Sequence, residues 1–377
     1  MKVTFNRPYL TGNEIKYITD AINRRKLCGD GYYTKISSEF IETKFNTKKA
    51  LLTTSCSSAL DMACLILDIG KGDEVILPSF TFVSTANSVV LRGAKCIFVE
   101  VDKYLNIDLD DVERKISDKT KMVMPVHYAS TSCDMDRLMA MSEKHGFYVV
   151  EDAAQAVYAK YKDRYLGTIG HIGCYSFHET KNYSCGEGGA FLINVDDNKL
   201  VENAEIAREK GTNRSKFFRG EVAKYSWVGV GSSFLPSDML AAFLYAQFEQ
   251  IDKINELRKK VYDAYTYGLK GLISDGYFAG PLIPSYNKIN YHMYYLMFRN
   301  GDERDTLMNY LKENGINAVF HYLPLHTSDM GLRMGYKEED LPFTEKVSDC
   351  LLRLPLYAGM DDSDVEYVVE KINKFYR

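Results

Sequence analysis

Short apolar runs alternating with amphipathic segments restrict the fold of this chain more than any other feature. The runs lie at 49–53, 74–78, 95–99, 121–126, 147–152, 174–177 and 190–194, with helical patterning between them at 58–67, 81–91, 110–116 and 134–145. Strands covered on both faces need runs that are apolar throughout rather than at alternate positions. Repeated strand–helix alternation then builds a mostly parallel sheet. The expected class is α/β, with ligands beyond the carboxyl ends of the strands. A helix over 237–270, with Leu240, Phe243, Leu244, Phe248 and Ile251 at helical spacing, leads into loop signals. Strand-like 291–298, helix-like 304–314, strand-like 317–322 and a last helix at 363–375 follow. We therefore expect a large α/β domain over residues 1–250 with the N-terminal segment. Residues 251–377 would form a linking helix and a smaller α+β domain.

A chain of 377 residues can bury a sizeable site. Lys+Arg number 47 against Asp+Glu 51, so no basic surface points to nucleic acid. The cysteines are scattered, without a CxxC pair or a histidine cluster, which predicts reduced thiols and no metal site. The start, MKVTFNRPYL, lacks an apolar signal core, and no apolar run reaches the ~18 residues a membrane span needs. The expectation is a cytoplasmic protein with no membrane partner.

The chemistry is concentrated at Ser176-Phe177-His178-Glu179-Thr180-Lys181-Asn182, preceded by Glu151-Asp152-Ala153-Ala154-Gln155-Ala156 and followed by a Gly-rich turn at 186–189. Pyridoxal 5'-phosphate needs a lysine at a strand's end, an acid ending an upstream strand and a nearby hydroxyl. Lys181 would form the Schiff base, and Asp152 would keep the ring nitrogen protonated so that the ring accepts a carbanion's charge. Each residue also has a plainer reading. Lys181 alone could be a solvated surface charge, Asp152 a helix N-cap, and Gln155 either its capping-box partner or a contact to the cofactor's phenolic oxygen. For the phosphate, Thr53-Thr54-Ser55-Cys56-Ser57-Ser58 runs from a strand into a helix. Ser57 is the first choice, with the amides of Cys56 and Ser57 and the hydroxyl of Ser176; a simple N-cap is the alternative. Phe82 is either a stacking partner for the ring or core.

Together with Pro125-Val126-His127-Tyr128-Ala129, these motifs resemble the DegT-type sugar-nucleotide aminotransferases, pyridoxal phosphate enzymes of fold type I, from Phe5-Asn6-Arg7-Pro8 through Leu354-Pro355-Leu356-Tyr357. The resemblance implies a large, mostly parallel-sheet domain and a smaller C-terminal domain, with Lys181 as the Schiff-base residue and Asp152 on the ring nitrogen. It also implies Gln155 near the phenolic oxygen, Ser176 and Ser57 on the phosphate, Phe82 on the ring, and a homodimer with shared active sites. Many relatives send an Asn from the partner subunit to the phosphate. Here that position is Ser233, whose shorter reach argues against the same contact. Ser130 likewise replaces a common Gly, and serine adopts positive φ less cheaply.

Within the family, Arg208–Ser215, Phe217–Gly220, 231–238 and 320–326 are most similar to enzymes that aminate the C4 ketone of dTDP-4-keto-6-deoxyglucose for surface polysaccharides. L-glutamate is the implied donor, and pyridoxamine 5'-phosphate the intermediate form of the cofactor. Arg214, Arg219, His321, Tyr322 and His326 are candidates for nucleotide-sugar contact, with surface or core packing as the alternative. A 3-keto or differently configured sugar remains open as the acceptor. A deoxysugar dehydratase of the same fold would carry histidine where this chain has Lys181, and a non-catalytic regulator would not need the intact set. No arginine pair for a dicarboxylate stands out.

Overall fold

The structure, a computed structural model, describes residues 2–377. Its strands are β1 (Lys49–Thr53), β2 (Glu74–Pro78), β3 (Lys95–Val99), β4 (Thr120–Val123), β5 (Tyr148–Asp152), β6 (Lys160–Tyr161), β7 (Arg164–Tyr165), β8 (Ile172–Ser176), β9 (Gly189–Ile193), β10 (Asn287–Lys288), β11 (Tyr294–Met297) and β12 (Leu351–Leu354). The main sheet is seven-stranded, in the order β1-β9-β8-β5-β4-β2-β3. Strand β9 alone runs against its neighbours; the other pairings are parallel.

The helices of the N-terminal two-thirds are α1 (Glu14–Asn23), α2 (Tyr32–Phe45), α3 (Cys56–Ile66), α4 (Val83–Val90), α5 (Leu109–Lys115), α6 (Met135–His145), α7 (Asn198–Arg208), α8 (Arg214–Phe218), α9 (Asp238–Phe248) and α10 (Ile251–Gly268). Successive strand residues enter different cores. Leu52, Ile76, Val149, Tyr175, Ala190 and Leu192 face one apolar cluster, while Leu51, Val75, Leu77, Val150, Cys174 and Phe191 face another. Both faces being covered is why these strands are apolar throughout. A third cluster joins Tyr265, Leu296, Leu311, Leu352, Leu354 and Val368 with the N-terminal Val3.

Two expectations need correction. The helix over 237–270 is two helices, α9 and α10, separated at Glu249 and Gln250. The first packs on α1 and α2 and the second on the last helix, Asp362–Phe375, so one straight rod could not serve both. The segment 317–322 is not a strand. It makes one bridge, Val319 to Arg353, while β11 pairs with β12. The sequence reading missed β12 because the run Leu351–Leu354 is short and interrupted by a charge. No helix among the described residues is long and apolar enough to cross a membrane, and no cluster of metal-ligating side chains occurs among them.

Candidate active site

Four strand ends supply the site. After β1 the chain turns at Ser55, whose hydroxyl caps α3 by accepting from the Ser58 amide at 3.0 Å. This leaves the amides of Cys56 and Ser57 at a helix N-terminus, where anions are favoured. Beyond β2, Phe82 is 57% exposed and precedes α4, so its reading as core is wrong. Strand β5 ends on Asp152, and β8 ends on Ser176, five residues before Lys181. Ser55, Cys56, Ser57, Phe82, Asp152, Ser176 and Lys181, with Gln155, His292, His321, Tyr322 and Arg353, line a single cavity of about 520 Å³.

The Lys181 side chain keeps part of its surface open to that cavity, and its amine has no hydrogen-bond or ion-pair partner among the described residues. Loss of water lowers its pKa from 10.5; the nearby Asp152 carboxylate opposes this, and the positive charge of Arg353 adds to it. The Asp152 carboxylate is buried. It accepts from the Thr85 hydroxyl at 2.8 Å and from the Ala154 amide at 3.2 Å, so it does cap its own turn while facing the cavity. Gln155 is not a capping-box partner. Its Oε1 accepts from the Ala129 amide at 2.8 Å and its Nε2 donates to the Tyr322 hydroxyl at 3.2 Å. The Ser57 hydroxyl donates to Ser84 at 2.7 Å. Burial, more than the neighbouring Asp152, pushes the Cys56 thiol well up, so it stays neutral.

His321 shares a hydrogen bond of 3.1 Å between its Nδ1 and the Tyr128 hydroxyl, and its Nε2 is 3.2 Å from Nη1 of Arg353. Arg353 has only protons to offer, so Nε2 accepts and the ring is neutral. Burial first, and then the guanidinium charge, hold its pKa well below 6.5.

Other candidates lie elsewhere. His326 is fully buried between Ser79, at 2.7 Å from Nδ1, and Glu345, at 3.0 Å from Nε2; it anchors a loop and does not line the cavity. Arg219 is paired with Glu205 and Glu221, and Arg214 lies 3.8 Å from Glu209, both outside the cavity of their own chain. Ser233 is exposed and also outside it. Ser130 does adopt the left-handed conformation that glycine favours, at φ 65°. Its hydroxyl offsets the strain by donating to the Ala129 carbonyl and accepting from the Asn290 amide at 3.2 Å. The sequence reading missed Thr85, His292 and Arg353. The only available signal for Arg353 was a lone charge in an otherwise apolar run.

Residues 8–373 match the profile of the DegT/DnrJ/EryC1/StrS aminotransferase family. The chain belongs to that family. It is 34% identical over 371 residues to the pleiotropic regulatory protein of Geobacillus stearothermophilus, covering 97% of this chain and 95% of that one. It is 32% identical over 381 residues to the spore coat polysaccharide biosynthesis protein SpsC of Bacillus subtilis, covering 98% and 95%. Spr1654 of Streptococcus pneumoniae, solved in a form with pyridoxal phosphate, shares the fold at a TM-score of 0.91 with 24% identity, over 99% of this chain and 98% of that one.

Such aminotransferases depend on pyridoxal 5'-phosphate, and the cavity fits that group. It presents a half-buried amine without a partner among the described residues, a braced carboxylate, an exposed aromatic ring and a helix N-terminus beside hydroxyls.

Proposed function

We propose that this aminotransferase moves an amino group from L-glutamate to the C4 ketone of dTDP-4-keto-6-deoxyglucose, giving dTDP-4-amino-4,6-dideoxygalactose for a surface polysaccharide. The observation that carries the catalytic part is the unpartnered amine of Lys181 in the same cavity as Asp152. The sugar assignment rests on the sequence likeness and is supported by kinship to a polysaccharide biosynthesis protein.

When bound, pyridoxal phosphate supplies an electron sink and a carrier for the amino group. The amides of Cys56 and Ser57, with the hydroxyls of Ser57 and Ser176, would hold the phosphate, and Phe82 would cover the ring. Asp152, braced by Thr85, would keep the ring nitrogen protonated. Gln155, fixed between Ala129 and Tyr322, would donate to the phenolic oxygen. Lys181, first the covalent tether, would then take the proton from the donor's Cα and later deliver one to C4 of the sugar. Its lowered pKa leaves more of the amine neutral at working pH, as a base requires.

The homodimer with shared sites is supported by Arg214, Arg219 and Ser233 lying outside their own chain's cavity, in a segment that also exposes Phe218 (67%), Trp227 (80%) and Val230 (68%). In that arrangement this segment approaches the partner's cavity and its nucleotide sugar.

Lys181→Ala should abolish turnover and the visible absorbance of covalently held cofactor; a variant that still turns over overturns the assignment. Pyridoxamine-loaded protein offered a panel of keto-sugar nucleotides should regain that absorbance with the 4-keto sugar. A response to a 3-keto sugar alone overturns the substrate reading.

A further inference from the structure

Two chains of hydroxyls reach the start of α4, and they end differently. In the first, Thr85 donates to the Asp152 carboxylate at 2.8 Å, so the Thr81 hydroxyl, 2.9 Å away, donates to Thr85. A hydroxyl carries one proton, and this chain hands its protons on to an acceptor. In the second, Ser57 of α3 donates to Ser84 of α4 at 2.7 Å. Ser84 donates to no residue among the described ones, and its side chain lines the cavity of Lys181. That chain stops short of an acceptor.

The backbone beside Ser84 is unsatisfied in the same way. Helix α4 follows Phe82, which offers no side-chain cap, and the amides of Val83 and Ser84 have no acceptor among the described residues. Helix α3 likewise leaves the amides of Cys56 and Ser57 without one. Two helix N-termini, joined by the Ser57–Ser84 bond, thus border one cavity, and the partial charge at each favours an anion. With its proton given to Ser84, the Ser57 hydroxyl has only lone pairs left, which a phosphate dianion cannot use. Ser84 has the proton such an anion takes, in a bond stronger than one between neutral groups.

We infer that Ser84 donates to the phosphate of pyridoxal 5'-phosphate and that the Ser57 hydroxyl acts on the phosphate through it, an assignment that rests on the aminotransferase reading of this cavity. The phosphate is then held between two helix N-termini of one chain. Serine at position 233, with less reach than the asparagine of many relatives, is accommodated because the missing contact is made within the chain. The start of α4 thereby serves the whole cofactor: Phe82 covers the ring, Ser84 holds the phosphate, and Thr85 braces Asp152 for the ring nitrogen.

The test separates phosphate from ring by titrating cofactor-free full-length protein with pyridoxal 5'-phosphate, with pyridoxal, which lacks the phosphate, and with inorganic phosphate as a competitor. In Ser84→Ala the dissociation constant for pyridoxal phosphate should rise about 10-fold or more, as expected for loss of a hydrogen bond to a charged group. Inorganic phosphate should compete less well by a similar factor. Pyridoxal, followed by its absorbance when joined to Lys181, should bind wild type and variant within about twofold, because the lost contact lies away from the ring. Ser57→Ala should cost less than Ser84→Ala, and Ser84→Thr, which keeps the hydroxyl, should recover most of the affinity. Melting curves verify folding, and Ser84→Thr against Ser84→Val, which differ in little beyond the hydroxyl, repeats the comparison if the alanine variant fails to fold. Equal affinity of wild type and Ser84→Ala for pyridoxal phosphate overturns the proposal, and a loss in Ser57→Ala alone would put the Ser57 proton directly on the phosphate. An equal loss for pyridoxal also overturns it, since Ser84 would then support the ring or the fold. If the wild-type protein forms no absorbing adduct with pyridoxal phosphate at all, the aminotransferase reading falls and takes the proposal with it.

Discussion

Lys181 illustrates how removing water and partners tunes one side chain. Its folded pKa lies below the unfolded value of 10.5, so the unfolded chain binds the extra proton between the two values. Stability therefore rises with pH across that window, and the penalty of the buried charge is fully present below the folded pKa. Lys181→Met should accordingly raise the melting temperature of cofactor-free protein at pH 7 while abolishing activity, because the penalty of the buried charge is removed. Calorimetry checks the sign. The same lowered pKa predicts that the donor half-reaction gains rate with pH and levels off below pH 10.5. At Asp152, Thr85→Val removes one donor from a buried carboxylate and should weaken cofactor retention by about 1–3 kcal/mol, measured by equilibrium dialysis.

At the level of elements, the site depends on how close β9 comes to the start of α3. A Cβ added to Gly189 would fall 2.4 Å from the Ser55 carbonyl carbon and 2.5 Å from the Cys56 amide nitrogen, and both are backbone atoms that cannot swing aside. Gly189→Ala should push the helix N-terminus away from its place. The expected cost is about 1–3 kcal/mol of stability together with weaker binding of cofactor phosphate, read by denaturant titration and cofactor titration. The seven main strands were legible because apolar runs bounded by helical patterning have one economical packing. The error at 317–322 has a different cause. Val319 and Arg353 exchange two backbone hydrogen bonds, but β11 prefers β12, and such pairing is decided between segments far apart in sequence.

For the whole molecule, the exposed segment around Phe218 and Trp227 is the feature a lone chain explains least. Apolar side chains grouped on a surface mark contact sites. Trp227→Glu should shift the protein toward monomer in sedimentation and weaken nucleotide-sugar binding more than glutamate binding, because the proposed shared contacts come from that segment. An unchanged sedimentation profile would count against the shared site. The composition, with 28 tyrosines and a net charge of −4, said nothing of this surface.

Residue order alone determined the α/β class, the seven strands of the main sheet and the aminotransferase chemistry, because these depend on local periodicity and on motifs whose members lie close along the chain. Lys181, Asp152, Gln155, Ser57 and Ser176 could be picked out that way. Tertiary structure decided what depends on burial and on distant partners. His326 became a loop anchor once Ser79 and Glu345 enclosed it, and Phe82 was left open rather than packed. Arg353 reached the cavity only through the pairing of β12 with β11, which joins segments far apart in the chain and so leaves no local mark in residue order.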